Sequence, residues 1–164
     1  HIYKKIKYLT ERKHRSLKNF KIYDLRLFNY FSSSQNINNS FFINLIIKSI
    51  LENKIFKTSS NNFYRDYIGP NDLFNIIIKL IRMNIRNNVF DIYSKKITNK
   101  IEIIDFFKKK YNLKVNYTSN HKTKNIFYYS INHKLSKFIN FTPKETSIEN
   151  IENQSKKILK NISI

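Results

Sequence analysis

Tyr3 and Lys7 stand four residues apart in a charged stretch, the spacing that places two side chains on one face of a helix. A Tyr hydroxyl ordinarily titrates near pH ~10, so it serves as a proton-transfer base at neutral pH only beside a cation. Lys7 would be that cation. Spacing alone gives the pair no weight, because 11 Tyr and 25 Lys in 164 residues produce such pairs by chance. Two solvated residues on an exposed helix fit it better. Asn29 ends a run of strand-forming residues and enters a polar loop, where its amide can bond a ligand or simply form a turn. Arg65 and Asp66 lie just before Gly69 and Pro70. Arg65 has the planar fork that clasps a diphosphate through two parallel bonds, or else it pairs with Asp66 on a hairpin.

Gly69 is the only glycine. No G-x-G-x-x-G turn and no glycine-rich phosphate loop can therefore form within these residues. With no Cys, disulfides and thiolate metal sites are excluded. The His residues at 1, 14, 121 and 133 show no metal-ligand spacing. Apolar runs such as Ile76-Ile77-Ile78 are too short for a membrane span and no signal peptide precedes them, so a cytoplasmic domain without a membrane partner is expected. The first residue is His1 rather than Met, which leads to the expectation of a fragment lacking an upstream part.

The net charge of +20 invites a nucleic-acid reading. Composition weighs against it. Ala and Trp are absent while Asn, Lys, Ile, Tyr and Phe fill the chain, the signature of A/T-rich codons rather than of a phosphate partner. Lys outnumbers Arg 25 to 6, whereas base readout favours Arg. Nucleic acid is accordingly not expected as a partner. A basic RNA-binding protein and an inactive truncated gene product remain the alternatives.

The elements that must position these residues follow from periodicity. Residues 4–18 read as a helix with a narrow apolar edge, and 21–31 as one strand. A polar loop over 32–40 leads to a helix over 41–51, with Phe42, Leu45, Ile46, Ser49 and Ile50 inward. Residues 54–68 alternate around Ser59-Ser60-Asn61-Asn62 and predict a hairpin-like pair of strands. Pro70 opens a helix to Met83 that is apolar enough to predict burial on more than one side. A buried strand over 89–93 follows. Asn99-x-x-Glu102 is a capping box for a helix to Tyr111, with Ile101, Ile104 and Phe107 inward. A strand over 114–117 comes next, then a Lys-rich loop over 121–125, and residues 127–130 and a turn over 134–138 lead on to Phe141. Thr146-x-x-Glu149 caps a last helix facing inward through Ile148, Ile151, Ser155, Ile158, Leu159 and Ile162. Alternating helices and strands of this kind predict an α/β fold.

Five segments in order carry a family resemblance. Residues 65–73, RDYIGPNDL, resemble the R-D-[FY]-[IV]-H-V-x-D-[LV] segment of the extended short-chain dehydrogenase/reductases, the NAD-dependent epimerase/dehydratase family that acts on nucleotide sugars. Upstream, LRLFNYFSSSQ is similar to that family's LRxxNxYGPxQ, with Tyr3 and Lys7 where its Y-x-x-x-K belongs. Downstream, VFDIYSKKITNKIEIIDFFKKKYN and FINFTPKETSIENIENQSKKILKN resemble its later strand–helix and closing patterns. The resemblance covers essentially the whole chain and corresponds to the family's C-terminal half. It implies the C-terminal part of a Rossmann-type parallel sheet with a small α/β substrate-binding subdomain. Residues 1–31 and about 71–93 would contribute to the sheet, and about 32–70 and 94–164 mainly to the subdomain.

Tyr3 would then be the acid/base in hydride transfer with NAD or NADP, and Lys7 would hold the nicotinamide ribose and depress the Tyr3 pKa. Asn29 would contact a nucleotide sugar and Arg65 its diphosphate. Ser40 would add a phosphate contact, and Lys122 would stand in for a second diphosphate Arg. The implied partners are the nucleotide sugar, a missing N-terminal Rossmann half and a second copy in a homodimer. The sequence departs from the family at Ser32-Ser33, where Gly-Pro is usual, and at Gly69, where His is usual. Lacking the family's glycine-rich loop, this portion alone is expected to be inactive.

Overall fold

A computed structural model describes residues 2–84, 87–118 and 125–162, with residues 161 and 162 described by their backbone alone. Helix α1 (Ile2–Ser16) buries none of its residues. Strand β1 (Tyr23–Leu27) runs parallel to β6 (Asn88–Ile92), with Leu25 opposite Phe90. Side chains alternate across the pair and divide its faces. Tyr23, Leu25, Phe90 and Ile92 pack with Ile76 and Leu80 of helix α3 (Pro70–Arg82). Asp24 and Arg26 point the other way and hold α1, Asp24 through His14 and Arg15, Arg26 through Glu11. Helices α1 and α3 thus cover opposite faces of one parallel pair. The second edge of β1 pairs with no described strand.

The expected strand over 21–31 is in fact two. The chain changes partners at Phe28, and β2 (Asn29–Tyr30) pairs in parallel with β5 (Tyr67–Ile68). The expected hairpin over 54–68 is also replaced. Strand β3 (Phe56–Ser59) pairs in parallel with β8 (Val115–Thr118). Strand β4 (Phe63–Arg65) lies between β7 (Thr98–Asn99) and β9 (Ile126–Tyr128). A tight hairpin turn needs residues at positive φ, and none between 59 and 62 adopts it. Instead the buried Lys100 ammonium bonds the carbonyls of Ser59 and Asn61 and fixes the turn open.

Helix α2 (Phe42–Leu51) buries Ile43, Asn44, Ile46 and Ile47; of the expected face Ile46 is buried and Phe42 and Ile50 pack half-buried against the core, whereas Leu45 is exposed. Asn44 sets the rotation: its amide accepts from Gln35 and donates to the Asn36 carbonyl, drawing that face inward. In α4 (Lys100–Tyr111) the Asn99 capping box forms, and Ile103, Ile104 and Phe107 are inward while Ile101 is exposed. Helix α3 is buried on one side only, leaving Phe74, Ile77 and Ile81 exposed. The expected turn over 134–138 is helix α5 (Lys134–Ile139), which packs Leu135 and Ile139 into the α3–β6 core. The last helix, α6 (Ser147–Ile162), has the expected cap, with the Glu149 carboxylate accepting from Thr146. Ile151, Ser155, Ile158 and Leu159 are buried as its periodicity requires. A second core joins α2, α4 and α6 through Ile46, Ile47, Phe107, Ile151 and Ile158.

Candidate functional site

Three polar side chains, Asn29, Gln35 and Arg65, open into a cavity of about 380 Å³ otherwise walled largely by aromatic rings, among them Phe28, Tyr30, Phe41 and Tyr67. It lies where the chain leaves β1 for β2 and where β4 passes to β5. Parallel pairing of β2 with β5 brings Asn29 and Arg65 together across more than thirty residues of sequence. The Asn29 amide donates to the main-chain carbonyl of Asp66 at 3.3 Å.

Arg65 is not paired with Asp66. The Asp66 carboxylate turns inward, accepting from the Ser94 backbone N–H at 2.9 Å and from the Ser147 hydroxyl at 3.4 Å. Burial raises the Asp66 pKa, and the Ser94 and Ser147 hydrogen bonds offset part of the rise. The Arg65 guanidinium lies 4.5 Å from the centre of the Phe63 ring, and its shielded Nε has no acceptor. Among the described residues no carboxylate forms an ion pair with it. Burial raises the Tyr67 phenol pKa, and the nearby Arg65 charge offsets part of the rise. A charged donor held beside aromatic rings without a counter-ion is suited to an anion with a planar apolar group attached. Arg26 makes the contrast plain. It is bound by Glu11 and Asp91, and that carboxylate company holds it firmly protonated.

A second cavity, of about 610 Å³, adjoins the first at Leu27 and Phe28. Lys4, Lys7, Tyr8 and Glu11 line it from α1, Tyr128 from β9, and the consecutive residues Asp24 to Leu27 from β1, followed by Phe28. A run of neighbours along one strand means that the unpaired edge of β1 forms its wall. Phe28 and Tyr128 meet edge to face at 5.4 Å between them.

Tyr3 and Lys7 are together on α1, the Lys7 ammonium 4.4 Å from the Tyr3 ring centre. Their hydrogen bond raises the Lys7 pKa. Lys7 lines the larger cavity. Tyr3 is 69% exposed and lines neither of the two. Ser40 is exposed and precedes Phe41, the N-cap of α2, without capping it. Lys122 lies outside the described residues. Among those residues no cluster of His, Asp or Glu could hold a metal ion, and no helix is long and apolar enough to cross a membrane.

Phe28 and Tyr128 were not singled out by sequence, since nothing local marks them, and Gln35 was given no role although it holds the Gln position of the LRxxNxYGPxQ pattern. The residues behind the site were also missed, although a periodic signal marks them. Ser147, Asn150 and Gln154 recur at i, i+3 and i+7 on the buried face of α6, and polar groups on an apolar face need partners.

Comparison of the sequence with protein-family models and with curated proteins finds no match. Solved structures do match in fold. UDP-glucuronic acid 4-epimerase from Bacillus cereus, in complex with UDP-glucuronic acid and NAD, superimposes with a TM-score of 0.74 at 16% identity, over 92% of this chain and 49% of its own. A dTDP-glucose 4,6-dehydratase from Bacillus anthracis, in complex with NAD, gives 0.76 at 14% identity, over 96% and 50%. UDP-N-acetylglucosamine 4-epimerase from Methanobrevibacter ruminantium, in complex with UDP-N-acetylmuramic acid, gives 0.76 at 18% identity, over 93% and 51%. This chain therefore has the mixed α/β fold of the C-terminal half of the Rossmann-like epimerases, and spans about half the length of the structures it matches.

Proposed function

We propose that the chain is the nucleotide-sugar-binding half of an NAD(P)-dependent epimerase, dehydratase or reductase. The observation that carries this reading is the Arg65 guanidinium, unpaired by any described carboxylate and facing an aromatic cavity beside Asn29. Arg65 would take the diphosphate, Asn29 and Gln35 the polar groups attached to it, and the rings of Phe28 and Tyr30 its apolar faces. Ser40 and Lys122 stand as further phosphate contacts. Tyr3 would exchange a proton with a sugar hydroxyl, and Lys7 beside it would hold the nicotinamide ribose and steady the phenolate.

The dinucleotide would supply hydride chemistry, and for it this chain offers Tyr3 and Lys7 but no glycine-rich turn. The remainder of the cofactor site would come from a second α/β half. The unpaired β1 edge and the exposed Phe74, Ile77 and Ile81 of α3 are surfaces such a half would cover.

Titration with UDP-glucuronic acid tests the reading. Saturable binding that Arg65→Ala weakens about tenfold or more, the loss of a charge-assisted pair, supports it. Absence of binding to the wild-type chain, or binding indifferent to Arg65→Ala, refutes it.

A further inference from the structure

Asn29 and Arg65 reach their cavity from very short strands. Strands β2 and β5 are two residues each, and their pairing comprises only Asn29 opposite Tyr67 and Tyr30 opposite Ile68. So small a ladder cannot hold two side chains in register unaided. Something behind it must.

That support is a polar stripe on α6. Ser147, Asn150 and Gln154 lie on one face of the helix and are 0%, 0% and 1% exposed. Each bonds the backbone of the segments that carry the cavity. The Ser147 hydroxyl accepts from the Tyr67 N–H at 2.8 Å. The Asn150 amide donates to the Phe31 carbonyl at 3.2 Å. The Gln154 carbonyl oxygen accepts from the Ser33 N–H at 3.0 Å. Ser147 also joins Ser94 at 2.9 Å and Asp66, so β5 and the end of β6 share one buried junction. An apolar helix would have served packing equally well. Three buried polar side chains cost desolvation unless each has its partner, and here the partners are the ligand-facing strands.

We infer that Ser147, Asn150 and Gln154, with Asp66, are positioning residues that set the spacing of Asn29 and Arg65 and so the affinity of the cavity for its ligand. The inference rests on the proposed function for the identity of that ligand, but the mechanical part does not. None of the four touches the cavity. They act through the backbone of residues 31–33 and 66–67.

The test uses Ser147→Ala and Gln154→Met, with Ile158→Val as control, a substitution on the same helix whose side chain packs in the α2–α4–α6 core. UDP-glucuronic acid affinity and amide hydrogen exchange are both measured. The polar variants should weaken binding about tenfold and speed exchange at Ser33 and Tyr67, as losing an intramolecular hydrogen bond does. Ile158→Val should lower the melting temperature and change affinity less than about twofold. Equal loss of affinity in all three variants would overturn the inference, since it would follow stability alone. So would unchanged exchange at Ser33 and Tyr67. If the wild-type chain fails to bind UDP-glucuronic acid, the proposed function falls, and the exchange measurement still decides whether α6 organises these strands.

Discussion

Asn29 donates its side-chain amide to the main-chain carbonyl of Asp66 across 3.3 Å, so the peptide joining Asp66 to Tyr67, next to Arg65 in the chain, is bonded to a second polar residue of the same cavity. The same Asp66 sends its carboxylate inward to Ser94 and Ser147. One residue therefore ties the cavity wall to the core on its side-chain end and to Asn29 on its backbone end. Replacing Asn29 with Asp removes the donor and sets an ionised oxygen against a carbonyl. The expected cost is about 1–3 kcal/mol of stability, read from urea denaturation, with Asn29→Ser closer to wild type.

Asp66 makes stability depend on pH in a stated direction. Burial raises its pKa in the folded chain above the unfolded value, about 4, so the folded state holds the proton more tightly. Its contribution is fully present below pH ~4 and is lost as pH rises through the raised folded value. Glu11 and Glu149 act oppositely, because hydrogen bonds from Arg26 and Thr146 lower their pKa values. The difference between wild type and Asp66→Asn isolates what Asp66 contributes. Stability of Asp66→Asn relative to wild type should rise with pH across that window, and a flat difference would show Asp66 to be unperturbed.

Gly69 is glycine because α6 leaves no room for a side chain. A Cβ there would fall on the side-chain amide of Asn150. Gly69→Ala should cost about 1–3 kcal/mol through overpacking. Adding Asn150→Ala should recover part of that loss despite removing the bond to Phe31. Additive losses in the double mutant would mean that the two sites do not meet.

Helix α3 exposes Phe74, Ile77 and Ile81, the last at 70%, along one side. The chain alone should therefore self-associate. Ile77→Lys with Ile81→Lys should reduce light scattering by the chain without lowering its melting temperature, because neither side chain is in the core. A large fall in melting temperature would place that face inside the fold.

Periodicity and capping read most of the helices correctly, because those signals are local. The Asn99 and Thr146 boxes form as the sequence indicates. Pairing was not legible. Phe28 is where the chain leaves one parallel partner for another, and nothing about its own type announces the change. Strands β3 and β4 looked like a hairpin because alternation names a strand without naming its neighbour. The α2 face was displaced at Leu45, which is exposed, because Asn44 is drawn inward by Gln35 and Asn36. Arg65 and Asn29 stood out by residue type and position. That no carboxylate among the described residues pairs with Arg65 was not legible, since Asp66 beside it in sequence points away only in the fold.

A crystal structure of the chain grown with UDP-glucuronic acid bears most directly on whether Arg65 and Asn29 form a nucleotide-sugar site. The diphosphate is expected within hydrogen-bond distance of the Arg65 guanidinium, with Asn29 and Gln35 against the groups attached to it. Ligand bound elsewhere, with the cavity between β2 and β5 empty at saturating concentration, would contradict the account.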